Sequence, residues 1–338
     1  MLFLPQVVFL CDQALHVLFD WNYEIGSIIG AIIVFLYCFA GGLRASIWTD
    51  AAQSVTMIFS MSLLTIYGVE ASGGLNQFIL ALKNVSPTYL DFFPENVLFG
   101  NGLGMFLFAL GWFSGGIGVV GQPHIMVRFM TVTGEENVQK TKNYYYTWYF
   151  FFCLLTFLVG LTARIIFPDV SAFDAELALP MMGEKLLPEI LVGVILAGIF
   201  SATMSTADSQ ILSCSAAFSR DIFNRNKDFS IYITKSVTAA VTIIALLIAL
   251  YGSGNVFSLV MVSWSILAAA FTPLIFNTVS NRSLSEIGSI IIVLVSIAAT
   301  ILWRQIGLHN SIYEALPGMT VGIILSLILS KKESIAAR

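Results

Sequence analysis

The run "LAGIFSATMSTADSQILSCSAAF" (Leu196–Phe218) decides what kind of molecule this is. It is apolar over more than the roughly 20 residues that a membrane-crossing helix needs. Its centre, Ser201–Ser213, nevertheless holds one aspartate, two threonines and four serines. A charge at the middle of a bilayer costs roughly 2.5–3.5 kcal/mol, so an acid there points to function. At helical spacing Ser201, Ser205, Asp208 and Ser209 fall on one stripe, with Ala202, Thr206 and Ser213 beside it. Hydroxyls and a carboxylate on one face suit a small hard cation, with free backbone carbonyls completing its shell. The serines and threonines alone would equally serve as packing glue, bonded back to their own helix. Back-bonding does not neutralise the aspartate.

The remainder of the chain has the same character. Of 338 residues, 57% are hydrophobic and 11% charged, against about 25% charged in soluble domains. Mean hydropathy is +0.87. Such a chain belongs in a bilayer. A net charge of −4 gives no argument for nucleic acid. The four cysteines (Cys11, Cys38, Cys153, Cys214) stand singly in apolar runs, as small buried residues do.

Ten apolar segments are predicted to span: about 2–19, 24–41, 46–69, 98–122, 143–167, 188–218, 231–251, 256–278, 285–303 and 313–330. They are too long and too uniformly apolar for barrel strands of roughly 10 alternating residues. The expected fold class is therefore all-α, a polytopic helical bundle. With alternating loops, 12 of the 16 basic residues fall on the side that holds the C-terminal "KKESIAAR". That side is expected to be cytoplasmic, by the positive-inside rule. Segment 2–19 starts inside its own apolar run, which leads to the expectation that earlier helices are missing, the alternative being a true start with a short, tilted first helix. Two stretches on the opposite side, 70–97 and 164–187, contain Gly73, Gly74, Pro87, Pro94, Pro168 and Pro180 and read as long loops, either lids or connectors.

Two further features carry chemistry. In "GGLRASIWTDAAQ" (Gly41–Gln53) a Gly-Gly break and Arg44 precede Asp50. Asp50 either reaches water at the helix end or joins Thr49 and Gln53 in an oxygen cluster. In "LGWFSGGIGVVGQP" (Leu110–Pro123) five glycines and a proline cannot form a stiff regular helix. They permit close packing, or they make a discontinuous helix whose free backbone groups face a solute. His124 after the break reads as a structural hydrogen-bonder. Trp112 and Trp264 sit deep enough to line a cavity or to pack in the core.

The motifs "GGLRASIWTDAAQ", "GQPHIMVRFMTV" (Gly121–Val132) and "LAGIFSATMSTADSQILSCSAAFSRDIF" (Leu196–Phe223) resemble, in order, three signatures of the sodium:solute symporter family and, within it, the sodium/proline symporter branch. The similarity continues through "FSLVMVSWSILAAAFTPLI" (Phe257–Ile275) and "RQIGLHNSIYEALPG" (Arg304–Gly318). The resemblance implies a leucine-transporter-type bundle of two inverted five-helix repeats in one transmembrane domain, 1–338. Residues 1–69 would be the remnant of an incomplete first repeat, 98–278 the second repeat, and 285–330 accessory helices.

It also implies function: sodium-coupled symport of a small organic solute, such as an amino or organic acid, in the cell (inner) membrane. The partners would be sodium, the solute and the lipid bilayer, with no enzyme chemistry. In that family the main sodium site lies between the first and eighth core helices. The eighth-helix half maps onto the Ala202 carbonyl and the Ser205 and Thr206 hydroxyls. The first-helix half would have no counterpart in this chain, so an inactive truncated symporter is a second reading. A non-transporting membrane sensor or assembly module is a third. Some members carry another cation site, which maps onto Asp50, Ser205, Asp208 and Ser209. Asp208 stands where a serine is common, so two acids would share one cation or one proton and titrate together. The solute region maps onto Trp112, Gly115, Val119, Pro123 and Trp264. The proline branch has tryptophan and tyrosine where Gly115 and Val119 stand, which speaks against proline.

Overall fold

The structure, a computed structural model, describes residues 13–94, 96–169, 171–223, 231–251 and 255–332. The expected segment 2–19 lies mostly outside these, and only residues 13–19 are described, as helix α1. The helices that follow are α2 (Tyr23–Ala71), α3 (Leu75–Val85), α4 (Leu103–Ile117), α5 (Pro123–Phe129), α6 (Glu135–Ile166), α7 (Ala178–Leu186), α8 (Glu189–Ala217), α9 (Ile231–Tyr251), α10 (Val256–Val279), α11 (Glu286–Gln305) and α12 (Ala315–Leu329). Two two-residue strands, β1 (Arg282–Ser283) and β2 (Lys331–Lys332), pair antiparallel.

Among the described residues seven helical stretches are long and apolar enough to cross a membrane, and two shorter ones, Glu24–Phe39 and Ala315–Leu329, are apolar as well. These nine match nine of the ten expected segments. Many large apolar side chains of the spanning helices are exposed, Trp48, Phe106 and Leu294 among them. In a bilayer that surface meets lipid rather than water, so it carries no penalty.

The Gly-Gly break is real. α2 runs through it, but Gly42 adopts φ 61°, ψ −177° and kinks the helix there. A side chain at Gly42 would strain that conformation. The second half of α2 therefore starts at residue 43, three residues before the segment 46–69 expected from hydropathy.

Neither long loop is structureless. α3 lies in 70–97 and buries Phe78 and Leu82, one turn apart. α7 lies in 164–187 with Met182 fully buried. Pro180 stands in the first turn of α7, where its missing N–H leaves no helix bond unmade. Read from sequence, that proline looked like a loop marker. Before α7, Asp169 accepts bonds from the Ser171 hydroxyl (2.6 Å) and amide (3.0 Å), which hold its carboxyl below the usual range.

The chain divides into two compact units, each described by itself. The first comprises residues 1–90 and 130–257, with α1–α3 and α6–α9. One of its cores joins Val34 and Cys38 of α2, Ala207 and Ile211 of α8, and Val241 and Ala245 of α9. Another joins Leu64 of α2, Val159 and Ala163 of α6, Met182 of α7, and Leu187 and Ile195. α2 and α8 approach closely at Gly198, where an added Cβ would overlap the Ser60 side chain. The Ser60 hydroxyl in turn donates to the Val194 carbonyl at 2.8 Å. Gly198→Ala is expected to cost about 1–3 kcal/mol by overpacking, read as a lower unfolding midpoint in detergent. A midpoint equal to the wild type's would mean that the two helices are not this close.

The second unit comprises residues 91–129 and 258–338, with α4, α5, most of α10, α11 and α12. Its core holds Ala268, Tyr313, Ala315 and Met319.

Candidate functional site

The oxygen-rich stretch lies within α8, in the first unit. Several of its hydroxyls bond back to the helix. Thr203 donates to Phe200 O (3.0 Å), Thr206 to Ala202 O (3.0 Å) and Ser209 to Ser205 O (2.5 Å). The packing-glue reading is therefore correct for these donors, although a hydroxyl that donates keeps lone pairs able to coordinate an ion. Asp208 is different. It is fully buried, and its Oδ1 accepts from the Ser209 hydroxyl at 3.0 Å.

Direction separates the stretch into two sets. Thr206 and Asp208 are two residues apart, about 200° around the helix. Accordingly Thr206 is exposed on one side while Asp208 is buried on the other. Ser205, half-buried, stands between them in angle and is common to both expected cation sets. A cavity of about 150 Å³ lies beside Ala202, bordered by Met57, Ser60, Leu64, Ile195 and Thr203. Its lining is almost wholly apolar, so it adds few oxygens.

Asp50 lies just beyond the α2 kink. The Ser46 hydroxyl points to its Oδ2 at 3.5 Å, and its Oδ1 is buried. Thr49, expected beside it, turns its hydroxyl back to Ala45 O and Ser46 O, both at 2.9 Å. Tyr37, on the other half of α2, packs against the core that Val34 and Cys38 share with Ala207 and Ile211 of α8, and its hydroxyl oxygen is buried. Sequence reading missed Tyr37. The only available signal was a phenol four residues before the Gly-Gly break, and nothing distinguished it from the aromatic residues that pack elsewhere.

The expected solute region belongs to the second unit, and it is discontinuous. α4 ends at Ile117, a 3-10 turn covers Gly118–Gly121, Gln122 is extended, and α5 begins at Pro123. The fully buried Gln122 amide donates to Trp264 O at 3.1 Å, and the Trp264 indole donates to Gly115 O at 2.9 Å. The glycines serve packing as well as the break. An added Cβ at Gly118 would lie 2.6 Å from the Ala268 Cβ, and one at Gly115 would lie 2.8 Å from the Tyr313 ring. Trp112 is half exposed and stacks on Tyr313 (5.5 Å, 12°). Val119 is partly buried and Pro123 is exposed. Of the expected residues, Trp112, Gly115 and Trp264 are thus brought together, with Tyr313 as the member not foreseen.

Among the described residues no group of three or more His, Cys, Asp or Glu side chains could hold a metal ion. Any cation here would be held by hydroxyls, backbone carbonyls and at most two carboxylates. That donor set fits a monovalent hard ion better than a transition metal.

Comparison with known proteins agrees with this architecture. The family model described as the sodium:solute symporter family matches residues 11–296. The sodium/proline symporter of Escherichia coli (strain K12) is 26% identical over 333 residues, covering 94% of this chain and 64% of that protein. The high-affinity proline transporter PutP of Bacillus subtilis (strain 168) is 25% identical over 312 residues, 90% of this chain and 64% of that one. A sodium/proline symporter of Staphylococcus aureus (strain JH9) is 29% identical over 334 residues, 93% and 63%. The chain therefore spans a little under two thirds of the length of these relatives. Among solved structures, the substrate-bound outward-open state of a Na+-coupled sialic acid symporter superposes with a TM-score of 0.74 at 16% identity. That match covers 99% of this chain and 75% of the other. It bears out the expected all-helical bundle of leucine-transporter type.

Proposed function

Since the chain belongs to the sodium:solute symporter family, we propose that it works in sodium-coupled symport of a small organic solute by alternating access. The observation that carries this is the α8 stretch. In a helix long and apolar enough to span, it holds a fully buried carboxylate and a row of hydroxyls. The Ala202 carbonyl with the Ser205 and Thr206 hydroxyls would give three oxygens to the main sodium. Hard cations take roughly six, so other elements of the working protein would supply the remainder. Asp50, Ser205, Asp208 and Ser209 would hold a second cation or a proton. The C-terminal end would face the cytoplasm, in the cell (inner) membrane.

Coupling follows from differential affinity. If sodium binds better to the state that accepts solute, it raises the population of that state. By linkage the solute must then raise sodium affinity by the same factor. For the solute we propose a small amino or organic acid. The relatives named above are proline transporters. Here the Tyr313 ring fills the space over Gly115, so the wall of the α4 break is built differently from one carrying a large side chain at that position.

The test is solute counterflow into proteoliposomes, with a panel of amino and organic acids that includes proline. Uptake of at least one solute is expected with sodium and not with potassium. Absence of sodium-dependent uptake across the panel would refute the proposal.

A further inference from the structure

Between α11 and α12 the chain makes a short 3-10 turn (Leu308–Asn310) and then sends Ile312, Tyr313 and Glu314 inward, each of them buried. Three contacts pin this segment. The Trp303 indole donates to Ile312 O at 2.9 Å. The Arg304 guanidinium donates to Glu314 Oε1 at 2.7 Å and to the Ser258 hydroxyl at 2.6 Å. The Tyr313 hydroxyl donates to Met261 O at 3.0 Å. The Tyr313 ring is thereby held against α4, and both faces of the contact are crowded. An added Cβ at Gly111 would lie 2.9 Å from the Tyr313 amide nitrogen, and one at Gly115 would meet the ring itself. Trp112 stacks on the ring's face. The carbonyl at Gly115 is the one that Trp264 grips, and the carbonyl of Trp264 is the one that Gln122 grips, across the break.

We propose that Tyr313 is a positioning residue for the broken helix: its ring occupies the volume that a side chain at position 115 would take, and so fixes the backbone of residues 115–122. The proposal rests on the reading that this backbone lines the solute site. It assigns to the α11–α12 connection a role in the aperture of the break, carried through the Gly115–Trp264–Gln122 chain of hydrogen bonds. It also makes positions 115 and 313 a coupled pair in which one must be small if the other is large.

The test uses Gly115→Ala, Tyr313→Leu, their combination, and Tyr313→Phe. Each of the first two should lower the melting midpoint. The double variant should fall less than their sum, because leucine leaves room for the new methyl group. Strictly additive effects would overturn the pairing. By hydrogen exchange, the amides of 118–122 should open about tenfold faster in Tyr313→Leu, with those of α11 unchanged and Tyr313→Phe near wild type. Equal exchange at 118–122 in wild type and Tyr313→Leu would overturn it. For any solute that the counterflow panel identifies, KM should rise about fivefold in Tyr313→Leu with the maximal rate within about twofold. A fall in maximal rate at unchanged KM would reduce Tyr313 to a structural role. If the wild type takes up no solute, the transport reading fails, and the exchange and pairing results still decide the role of Tyr313.

Discussion

Replacing Thr206 or Ser205 by alanine is expected to raise the sodium concentration for half-maximal uptake by about tenfold or more. A bond from a hydroxyl oxygen to a charged partner contributes roughly 1.5–3 kcal/mol, and 1.4 kcal/mol is already a factor of ten. Thr206 is the cleaner substitution. Its side chain is exposed and its hydroxyl bonds back to Ala202 O within the same helix, so alanine costs the fold little. Thr206→Ser keeps the oxygen and should stay within about twofold of wild type. Ser205 should show the larger effect, because its position serves both proposed cation sets. A sodium titration of uptake at saturating solute reads all three variants. Unchanged sodium dependence in Thr206→Ala and Ser205→Ala would remove these residues from the site.

Glu314→Ala is expected to lower unfolding stability by about 3 kcal/mol, the low end of what breaking a buried ion pair costs. Glu314 is almost wholly buried and Arg304 is 26% exposed. Taking away the carboxylate leaves a mostly buried guanidinium bonded to the neutral Ser258 hydroxyl. Removing both charges should be milder, since an apolar pair leaves no buried charge behind. Thermal melts of Glu314→Ala, Arg304→Leu and the double variant with leucine at both positions measure this. If the double variant is no more stable than Glu314→Ala, the pair is not what holds the segment. Glu314→Ala should also loosen Tyr313, one residue away.

Hydropathy made the spanning helices legible because each is long and apolar on all sides. It did not reveal α3 and α7, which are short, amphipathic and bounded by glycine or proline. Their helical character comes from Phe78, Leu82 and Met182 finding a core. The break at Gly42 was legible, since few residues other than glycine accept φ near 60°. So was Asp208, because an acid in an apolar run stands out without any knowledge of its neighbours. Tyr37, which packs against α8, and the wedge residue Tyr313 were not legible. Each matters through contacts with residues distant in sequence, Ala207 and Ile211 among them in one case and Gly115 in the other. In composition Tyr313 resembles aromatics that merely face lipid. The glycines of α4 were read as either packing or break. The structure uses them for both, because a helix that stops at Ile117 must also let Ala268 and Tyr313 come close.

The most direct test of the sodium assignment needs no solute. Amide hydrogen exchange across α8 should be measured in detergent or nanodiscs, in sodium and in potassium at equal ionic strength. Amides of residues 202–209 are expected to be protected by sodium in a saturable way, with the protection absent in potassium and lost in a Ser205→Ala, Thr206→Ala double variant. Identical exchange over 202–209 in the two salts would contradict the account.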